Sequence, residues 1–123
     1  MTAPAGWHTL TPRIVTHDAR GLVEFLRDVF AATGDLESER PTTLAIGDSN
    51  LMISVAGVRA AHPVFAYVYV ADADATYRRA VARGAVSIEA PFDTPYGDRR
   101  CMIEDAWGNT WQIAVYRPSP DST

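Results

Sequence analysis

One short segment in the middle of the chain carries three aromatic side chains at alternate positions. Phe65, Tyr67 and Tyr69 are separated by small or β-branched residues. Because successive side chains of a β-strand point to opposite faces, we expect the three rings on one face of a sheet. A solvated face normally carries polar residues, whereas a row of rings can hold a flat aromatic molecule by stacking. The segment therefore indicates either a ligand-binding surface or an aromatic subunit interface.

A second strand pattern, near the C-terminus, adds polar chemistry. Along residues 110–116 the alternation places Trp111 and Ile113 on one face and Gln112 on the other. The apolar pair suits packing against a helix. The amide of Gln112 then offers hydrogen bonds on the opposite face, where either a ligand or the wall of a cleft can use them.

Four further side chains can orient or cover a bound molecule. Arg13 suits an acidic or carbonyl-bearing group, with an ordinary ion pair as the alternative. Met52 lies on a strand of the first half, Tyr96 in a loop that Gly97 allows to bend, and Trp107 in a turn. The predicted ligand-binding residues are Phe65, Tyr67, Tyr69, Gln112, Arg13, Met52, Tyr96 and Trp107.

Proton transfer without a metal is the competing chemistry. Glu104, at a strand end, is a candidate general base, and His17 or Tyr69 can serve in the same role. Each has a commoner structural explanation, such as a solvated carboxylate or a side chain beside a helix N-terminus. Cys101 has no histidine in an obvious pairing position, so we expect a buried small hydrophobe rather than a nucleophile.

The first half of the chain supplies the first set of elements. A strand is expected from Pro12 to His17, and Asp18 is a plausible N-cap. Apolar residues at helical spacing predict a helix over residues 19–33, which Gly34 ends. Short strands are then expected near residues 35–39, 42–46 and 50–55.

The same order returns in the second half. A strand is expected over residues 64–70 and a second N-cap at Asp72. The helix over residues 73–83 is predicted to bury Tyr77, Ala80 and Val81. Further strands are expected near residues 86–89, 99–104 and 110–116, with Pro91 in a loop. The order βαβββ thus occurs twice, as module one (about 11–55) and module two (about 64–116).

The hairpin over residues 103–114 carries a family resemblance. Its turn and second strand, from Asp105 to Ala114, resemble the C-terminal signature of the vicinal-oxygen-chelate superfamily, which includes glyoxalase I, extradiol dioxygenases and bleomycin-resistance proteins. The segment from Gly47 to Val55 is similar to the corresponding part of module one. The resemblance implies a single α+β domain over residues 1–123, in which two tandem βαβββ modules form a curved mixed sheet around a cleft.

The resemblance also implies where a metal would bind in family enzymes, with one ligand from each of four strands. The matching positions are Thr11, Met52 or Ile53, Phe65 and Gln112, because a one-residue slip in strand 50–55 exchanges the two middle candidates. None is His, Asp, Glu or Cys, the ligands that divalent metals need. We therefore predict no metal and no cofactor, and the chain is most similar to the metal-free, bleomycin-resistance-like branch.

Composition bounds the remaining classes of function. The chain has 123 residues, a net charge of −4 and 47% hydrophobic residues. A negative net charge argues against nucleic-acid binding, no apolar run approaches the ~20 residues of a membrane span, and one cysteine allows no internal disulfide. We expect a cytoplasmic protein, and the resemblance implies a homodimer.

These observations together predict a non-catalytic binding protein. Its ligand would be a small aromatic or hydrophobic antibiotic or natural product, which the protein sequesters as a means of drug resistance. The alternatives are a metal-independent isomerase or lyase, and a metal-dependent glyoxalase-like or dioxygenase-like enzyme.

Overall fold

The protein consists of two compact units, Met1–Pro63 and Val64–Thr123. A computed structural model describes residues 2–118. Each unit combines one helix with one β-sheet, and the predicted α+β architecture of two tandem modules is confirmed. None of the helices in the described residues is long and apolar enough to cross a bilayer.

The first unit contains a three-stranded mixed sheet. Its elements are β1 (Arg13–Thr16), α1 (Ala19–Phe30), β2 (Thr42–Ile46) and β3 (Ser49–Val55). Strand β3 lies in the centre, parallel to β1 and antiparallel to β2. Helix α1 buries apolar side chains at helical spacing: Leu22, Phe25, Leu26, Val29 and Phe30. Each such side chain contributes about 1.5–3 kcal/mol when it leaves water.

The second unit contains a four-stranded mixed sheet. Its elements are β4 (Phe65–Tyr69), α2 (Ala73–Ala82), β5 (Val86–Asp93), β6 (Arg99–Glu104) and β7 (Thr110–Val115). The strand order is β4-β7-β6-β5, in which β4 and β7 are parallel and the other neighbours antiparallel. This order places β7, the strand of the family signature, in the interior of the sheet.

Both helices begin at the predicted aspartates. The Asp18 carboxylate accepts a hydrogen bond from the backbone N–H of Gly21 at 3.0 Å. The Asp72 carboxylate accepts one from Ala75 at the same distance. Such caps satisfy backbone donors that the first helical turn leaves open, and each contributes about 1 kcal/mol.

The end of α1 differs from the prediction. The helix stops at Phe30, and Ala31 adopts a left-handed backbone with φ of 55°. Gly34 serves another purpose, because its φ is 127° and a Cβ there would lie 2.5 Å from the carbonyl oxygen of Thr43. The glycine therefore allows the chain to pass closely beside β2.

Residues 35–39 do not form the predicted strand. The backbone pairs with β2 only at an isolated bridge, where Thr33 and Ala45 exchange hydrogen bonds of 2.9 and 2.8 Å. Beyond it, the buried hydroxyl of Thr42 accepts a hydrogen bond from the N–H of Glu37 at 2.8 Å. A side chain thus takes the place of a strand partner.

The inner face of α2 consists of smaller residues than predicted. Ala73, Thr76 and Ala80 are buried, as expected only for Ala80. Val81 is 41% exposed, and Tyr77 lies at the flank, where its hydroxyl donates to Ser87 Oγ at 2.8 Å. Small residues let the helix approach the sheet closely, which moves the larger side chains off the contact.

Strand β5 is longer than predicted and includes Pro91. The strand lies at the edge of its sheet, and its register with β6 shifts between Ser87 and Glu89 and again between Glu89 and Phe92. A proline has no N–H to donate, and it is tolerated at edges and bulges for this reason. The loop to β6 therefore begins after Asp93 rather than at Pro91.

Candidate functional site: an aromatic sheet face

The register of the second sheet places the predicted rings and Gln112 on one face. In the pair of β4 and β7 the aligned residues are Phe65 with Thr110, Tyr67 with Gln112, and Tyr69 with Ala114. Strands β6 and β5 extend these rows with Arg100, Met102 and Glu104, then Glu89 and Phe92. We call this surface, from Phe65, Tyr67 and Tyr69 across to Phe92, the tyrosine face.

The opposite side of the sheet is buried. Cys101, Ile103, Trp111 and Ile113 point to the side on which α2 packs, and each is at most 2% exposed. This confirms the predicted inward face of β7. Since side chains alternate, the core fixes which residues remain on the tyrosine face.

The rings of β4 are available to a ligand in the single chain. Phe65 is 69% exposed, Tyr69 61% and Tyr67 38%. The centroids of the Tyr67 and Tyr69 rings lie 5.2 Å apart, and Tyr116 stands edge-on to Tyr69 at 6.3 Å. These distances are typical of favourable aromatic pairs. Tyr69 therefore contacts both Tyr67 and Tyr116.

The hydroxyl of Tyr67 is fixed by the loop between β5 and β6. It donates a hydrogen bond of 2.9 Å to the carboxylate of Asp98, which is 5% exposed. The backbone carbonyl of Asp98 accepts bonds of 2.8 Å from both the N–H and the hydroxyl of Thr94. The loop therefore holds Asp98 and, through it, the Tyr67 ring in one orientation.

Arg100 lies on β6, where it aligns with Ala114 of β7 and Phe92 of β5. Its guanidinium donates to the hydroxyl of Tyr96 at 2.8 Å and lies 3.3 Å from the carboxylate of Glu89. It also lies over the ring of Phe92, 5.1 Å from the centroid, within the range of a cation–π contact. The Tyr96 hydroxyl is 3.5 Å from that of Tyr67, so the loop tyrosine joins both groups.

Two phenols of the face are held in the protonated form. Burial, hydrogen bonds with Tyr96 and Asp98, and the negative charge of Asp98 raise the pKa of Tyr67. Burial and the charge of Asp98 likewise raise the pKa of Tyr69. Both phenols are therefore hydrogen-bond donors rather than bases at neutral pH, which weighs against Tyr69 as a general base.

The other candidates for proton transfer are solvent-exposed. Glu104 lies at the end of β6, aligned with Thr110, and His17 follows β1 in the first unit. Cys101 is fully buried, and burial raises the pKa of its thiol to about 11. The expected role of Cys101 as a buried hydrophobe is confirmed.

The turn between β6 and β7 is organised by one carboxylate. Asp105, 5% exposed, accepts hydrogen bonds from the backbone of Trp107 and Asn109, from the Asn109 amide, and from the Trp111 indole. Asn109 in turn accepts from the N–H of Val64 at 2.9 Å. This arrangement places Trp107, which is half-buried, in the turn between β6 and β7.

Two predicted binding residues meet in the first unit. Arg13 aligns with Met52 in the parallel pair of β1 and β3, and its guanidinium lies 3.5 Å from the Met52 sulfur. Ile53, by contrast, is 1% exposed and aligns with the buried Ile14. Of the two residues that the sequence left as alternatives, Met52 and not Ile53 therefore lies on the same face as Arg13.

The positions that hold a metal in family enzymes do not suit one here. Thr11, Met52, Phe65 and Gln112 offer a hydroxyl, a thioether, a ring and an amide, none of which is a strong ligand for a divalent ion. Within the described part of the chain, no group of three or more His, Cys, Asp or Glu side chains could hold a metal ion.

Sequence reasoning did not identify the groups that position the rings. Asp98, Glu89 and Phe92 were not among the predicted residues, and of the adjacent Arg99 and Arg100 the pattern did not say which faces the rings. The structure separates them: Arg99 binds Asp74 through two hydrogen bonds of 2.8 and 3.0 Å on the other side. Strand alternation was the available signal, but only the register between strands determines which arginine faces the tyrosines.

Comparison with known proteins agrees with this architecture. The family model of the Glyoxalase/Bleomycin resistance protein/Dioxygenase superfamily matches residues 1–113. No curated protein matches the sequence.

Solved structures show the same fold at low sequence identity. TioX from Micromonospora sp. ML1 is 21% identical with a TM-score of 0.74, over 88% of this chain and 98% of that one. A glyoxalase/bleomycin resistance protein/dioxygenase family enzyme from Burkholderia phytofirmans PsJN is 21% identical with a TM-score of 0.73, over 85% and 95%. A glyoxalase-related enzyme from Fulvimarina pelagi is 15% identical with a TM-score of 0.73, over 94% and 95%.

Proposed function

We infer that this chain, which belongs to the Glyoxalase/Bleomycin resistance protein/Dioxygenase superfamily, is a non-catalytic protein that binds a small aromatic molecule. The ligand class is an aromatic or hydrophobic antibiotic or natural product, and the protein sequesters it. In this proposal the protein acts in the cytoplasm as a homodimer, in a branch of the superfamily that resembles the bleomycin-resistance proteins.

One observation carries the proposal: three rings stand exposed in a row on a sheet face. Phe65, Tyr67 and Tyr69 offer stacking surfaces, and Tyr67 is already held in place by Asp98. A ring that is fixed before binding loses little conformational freedom when the ligand arrives. Gln112, aligned with Tyr67, adds a hydrogen-bonding amide beside the rings.

The chemistry of the face favours binding over catalysis. The phenols of Tyr67 and Tyr69 have raised pKa values and remain neutral donors. The Arg100 guanidinium is engaged by Tyr96 and Glu89, and the metal positions carry weak ligands. An aromatic surface with a fixed Tyr67 ring suits recognition of a flat molecule without bond making or breaking.

Fluorescence titration with N-phenyl-1-naphthylamine, a neutral two-ring probe, tests the site. We expect saturable binding by the wild-type protein and a loss of about 1 kcal/mol of binding free energy in Tyr69→Ala. Tyr77→Ala removes the same side chain from helix α2, away from the face, and serves as the matched control. Equal affinity of Tyr69→Ala and wild type would exclude the tyrosine face as the binding site.

Recovery of the ligand separates binding from catalysis. Candidate aromatic antibiotics are incubated with the protein and extracted, and their masses are measured by mass spectrometry. Unchanged mass together with quenched tryptophan fluorescence supports sequestration, whereas a product of altered mass indicates a metal-independent isomerase or lyase. The remaining alternative is a metal-dependent enzyme. It is tested by adding Ni²⁺, Zn²⁺ or Fe²⁺, removing the free metal by dialysis and measuring the metal content of the protein. Stoichiometric retention of metal would contradict the proposal.

A further inference from the structure

The first unit contains an open groove of its own. It has a volume of about 560 Å³ and is lined by Arg13, Val15, Val58, Arg59, Ala60 and His62. All of these residues belong to the first unit. Arg13 is one of the ligand-binding residues predicted from the sequence, but none of the lining residues belongs to the tyrosine face.

Backbone hydrogen bonds hold one end of the segment that lines the groove. The N–H of Val15 donates to the carbonyl of His62 at 3.2 Å, and the N–H of His62 donates back to Val15 at 2.8 Å. These two bonds hold His62 beside β1. A further bond of 2.9 Å, from the N–H of Gly57 to the carbonyl of Arg59, closes the start of the segment.

The lining is basic although the whole chain is acidic. Arg13 and Arg59 contribute two permanent positive charges, and His62 adds an imidazole, while the net charge of the protein is −4. No carboxylate is among the lining residues that the structure describes. Within residues 2–118 neither arginine forms an ion pair, and the side-chain contact of Arg13 is the sulfur of Met52.

The remaining lining residues are apolar. Val15 is 8% exposed, whereas Val58 and Ala60 are exposed, and the three add apolar groups to the lining that contains the two arginines. A planar guanidinium binds a carboxylate through two parallel hydrogen bonds, and the apolar surface suits the body of the same molecule. An inorganic anion would contact the arginines but would leave the apolar residues of the groove unused.

We propose that the groove binds an organic acid, with its carboxylate between Arg13 and Arg59 and its apolar body against Val15 and Val58. This adds a second binding site to the protein, in a different unit from the tyrosine face. It does not depend on the function proposed above.

Titration of isotopically labelled protein with 1-naphthoate, followed by NMR, tests the proposal residue by residue. We expect the amide signals of residues 13–15 and 58–62 to shift in a saturable way. The neutral isostere 1-naphthamide lacks the charge. Its dissociation constant should be roughly fivefold higher than that of 1-naphthoate, because hydrogen bonds to charged groups are stronger than those between neutral groups. Inorganic phosphate, which lacks the apolar body, should also bind more weakly.

Variants locate the effect. Arg13→Gln and Arg59→Gln should each weaken naphthoate binding by roughly fivefold, and Arg59→Glu should abolish it. Arg20→Gln removes an equal charge from the exposed side of helix α1 and should bind as the wild type does. Increased salt should weaken naphthoate but not naphthamide, since it screens exposed charges.

Three results would overturn the proposal. These are equal affinities for naphthoate and naphthamide, equal affinities in Arg59→Gln and Arg20→Gln, and shifts confined to residues 65–69. The last result would place the acid on the tyrosine face and would leave the function proposed for that face intact. Loss of binding in Tyr69→Ala without loss in the arginine variants would have the same meaning.

Discussion

The indole nitrogen of Trp111 donates a hydrogen bond of 2.8 Å to the carboxylate of Asp105. The two residues lie at either end of the turn between β6 and β7, and both are nearly inaccessible to solvent. The same carboxylate accepts three further bonds, from Trp107 and Asn109. One acidic side chain thus closes the hairpin and anchors the tryptophan that packs under the sheet.

Removal of this carboxylate should destabilise the protein strongly. Asp105→Ala removes the acceptor of four hydrogen bonds, and we expect a loss of about 3 kcal/mol in the free energy of unfolding. Urea denaturation monitored by tryptophan fluorescence measures it. Asp35→Ala, at a side chain that is 100% exposed, is the control and should change stability by less than about 0.5 kcal/mol. Similar values for both variants would show that the Asp105 bonds contribute little.

A second prediction concerns Gly34. Its φ of 127° and the 2.5 Å approach of a Cβ to the Thr43 carbonyl oxygen both disfavour alanine. Gly34→Ala should therefore lower the free energy of unfolding by about 2 kcal/mol. Gly57→Ala is the matched control, because its Cβ would meet no atom within 4 Å. Circular dichroism measures the midpoint temperature of thermal unfolding for both variants. Equal midpoint temperatures for Gly34→Ala and Gly57→Ala would contradict the strain at Gly34.

The alkaline pH dependence follows from the raised pKa values of Tyr67 and Tyr69. Folding raises both above the ordinary value of 10.0, so the folded protein keeps protons that the unfolded chain releases. This stabilisation is complete below pH 10.0 and is lost as the pH rises through the folded-state values. The chain contains no lysine, so lysine titration does not obscure the effect.

Two measurements check this prediction. Absorbance of the folded protein at about pH 11 should show fewer tyrosinates than the unfolded protein does at the same pH. The free energy of unfolding should fall as the pH rises above about 10, and Tyr67→Phe, which has no phenolic proton, should show a smaller fall. A fall as large in Tyr67→Phe as in the wild type would remove Tyr67 as the source.

Cys101 should be inert in the folded protein. Its side chain is fully buried, and burial raises the pKa of the thiol to about 11, so the reactive thiolate is scarce at neutral pH. We expect modification by a disulfide reagent to be at least about a hundredfold slower in buffer than in urea. Fast labelling in buffer, with the circular dichroism spectrum unchanged, would show that the thiol is accessible in the native state.

Much of the fold was predictable because its signals are local. Strand β6 has the predicted bounds, residues 99–104, and both N-cap aspartates are where the sequence placed them. Alternation correctly assigned Trp111 and Ile113 to the core. The failures have non-local causes: a side chain of Thr42 replaces a strand partner for Glu37, and the approach of α2 to its sheet selects small residues.

The candidate site was predictable only in part for the same reason. The row of rings on β4 follows from alternation within one strand. The partners of those rings depend on distant segments: Tyr67 meets Asp98, and Arg100 meets Tyr96 and Glu89. Arg59 and His62 gave no sequence signal, because only the bridge between His62 and Val15 places their segment beside β1.

The last prediction concerns Gln112, one of the four positions at which the family resemblance implies a metal ligand. Gln112→Glu restores one carboxylate, but Thr11, Met52 and Phe65 at the other positions remain weak ligands. We therefore expect no stoichiometric Ni²⁺, Zn²⁺ or Fe²⁺ to be retained after dialysis, by metal analysis of the purified variant. Gln112→Ala, which adds no ligand, is the control. Retention of one ion per chain by Gln112→Glu alone would show that other side chains complete a metal site, and the assignment of the four positions would then be wrong.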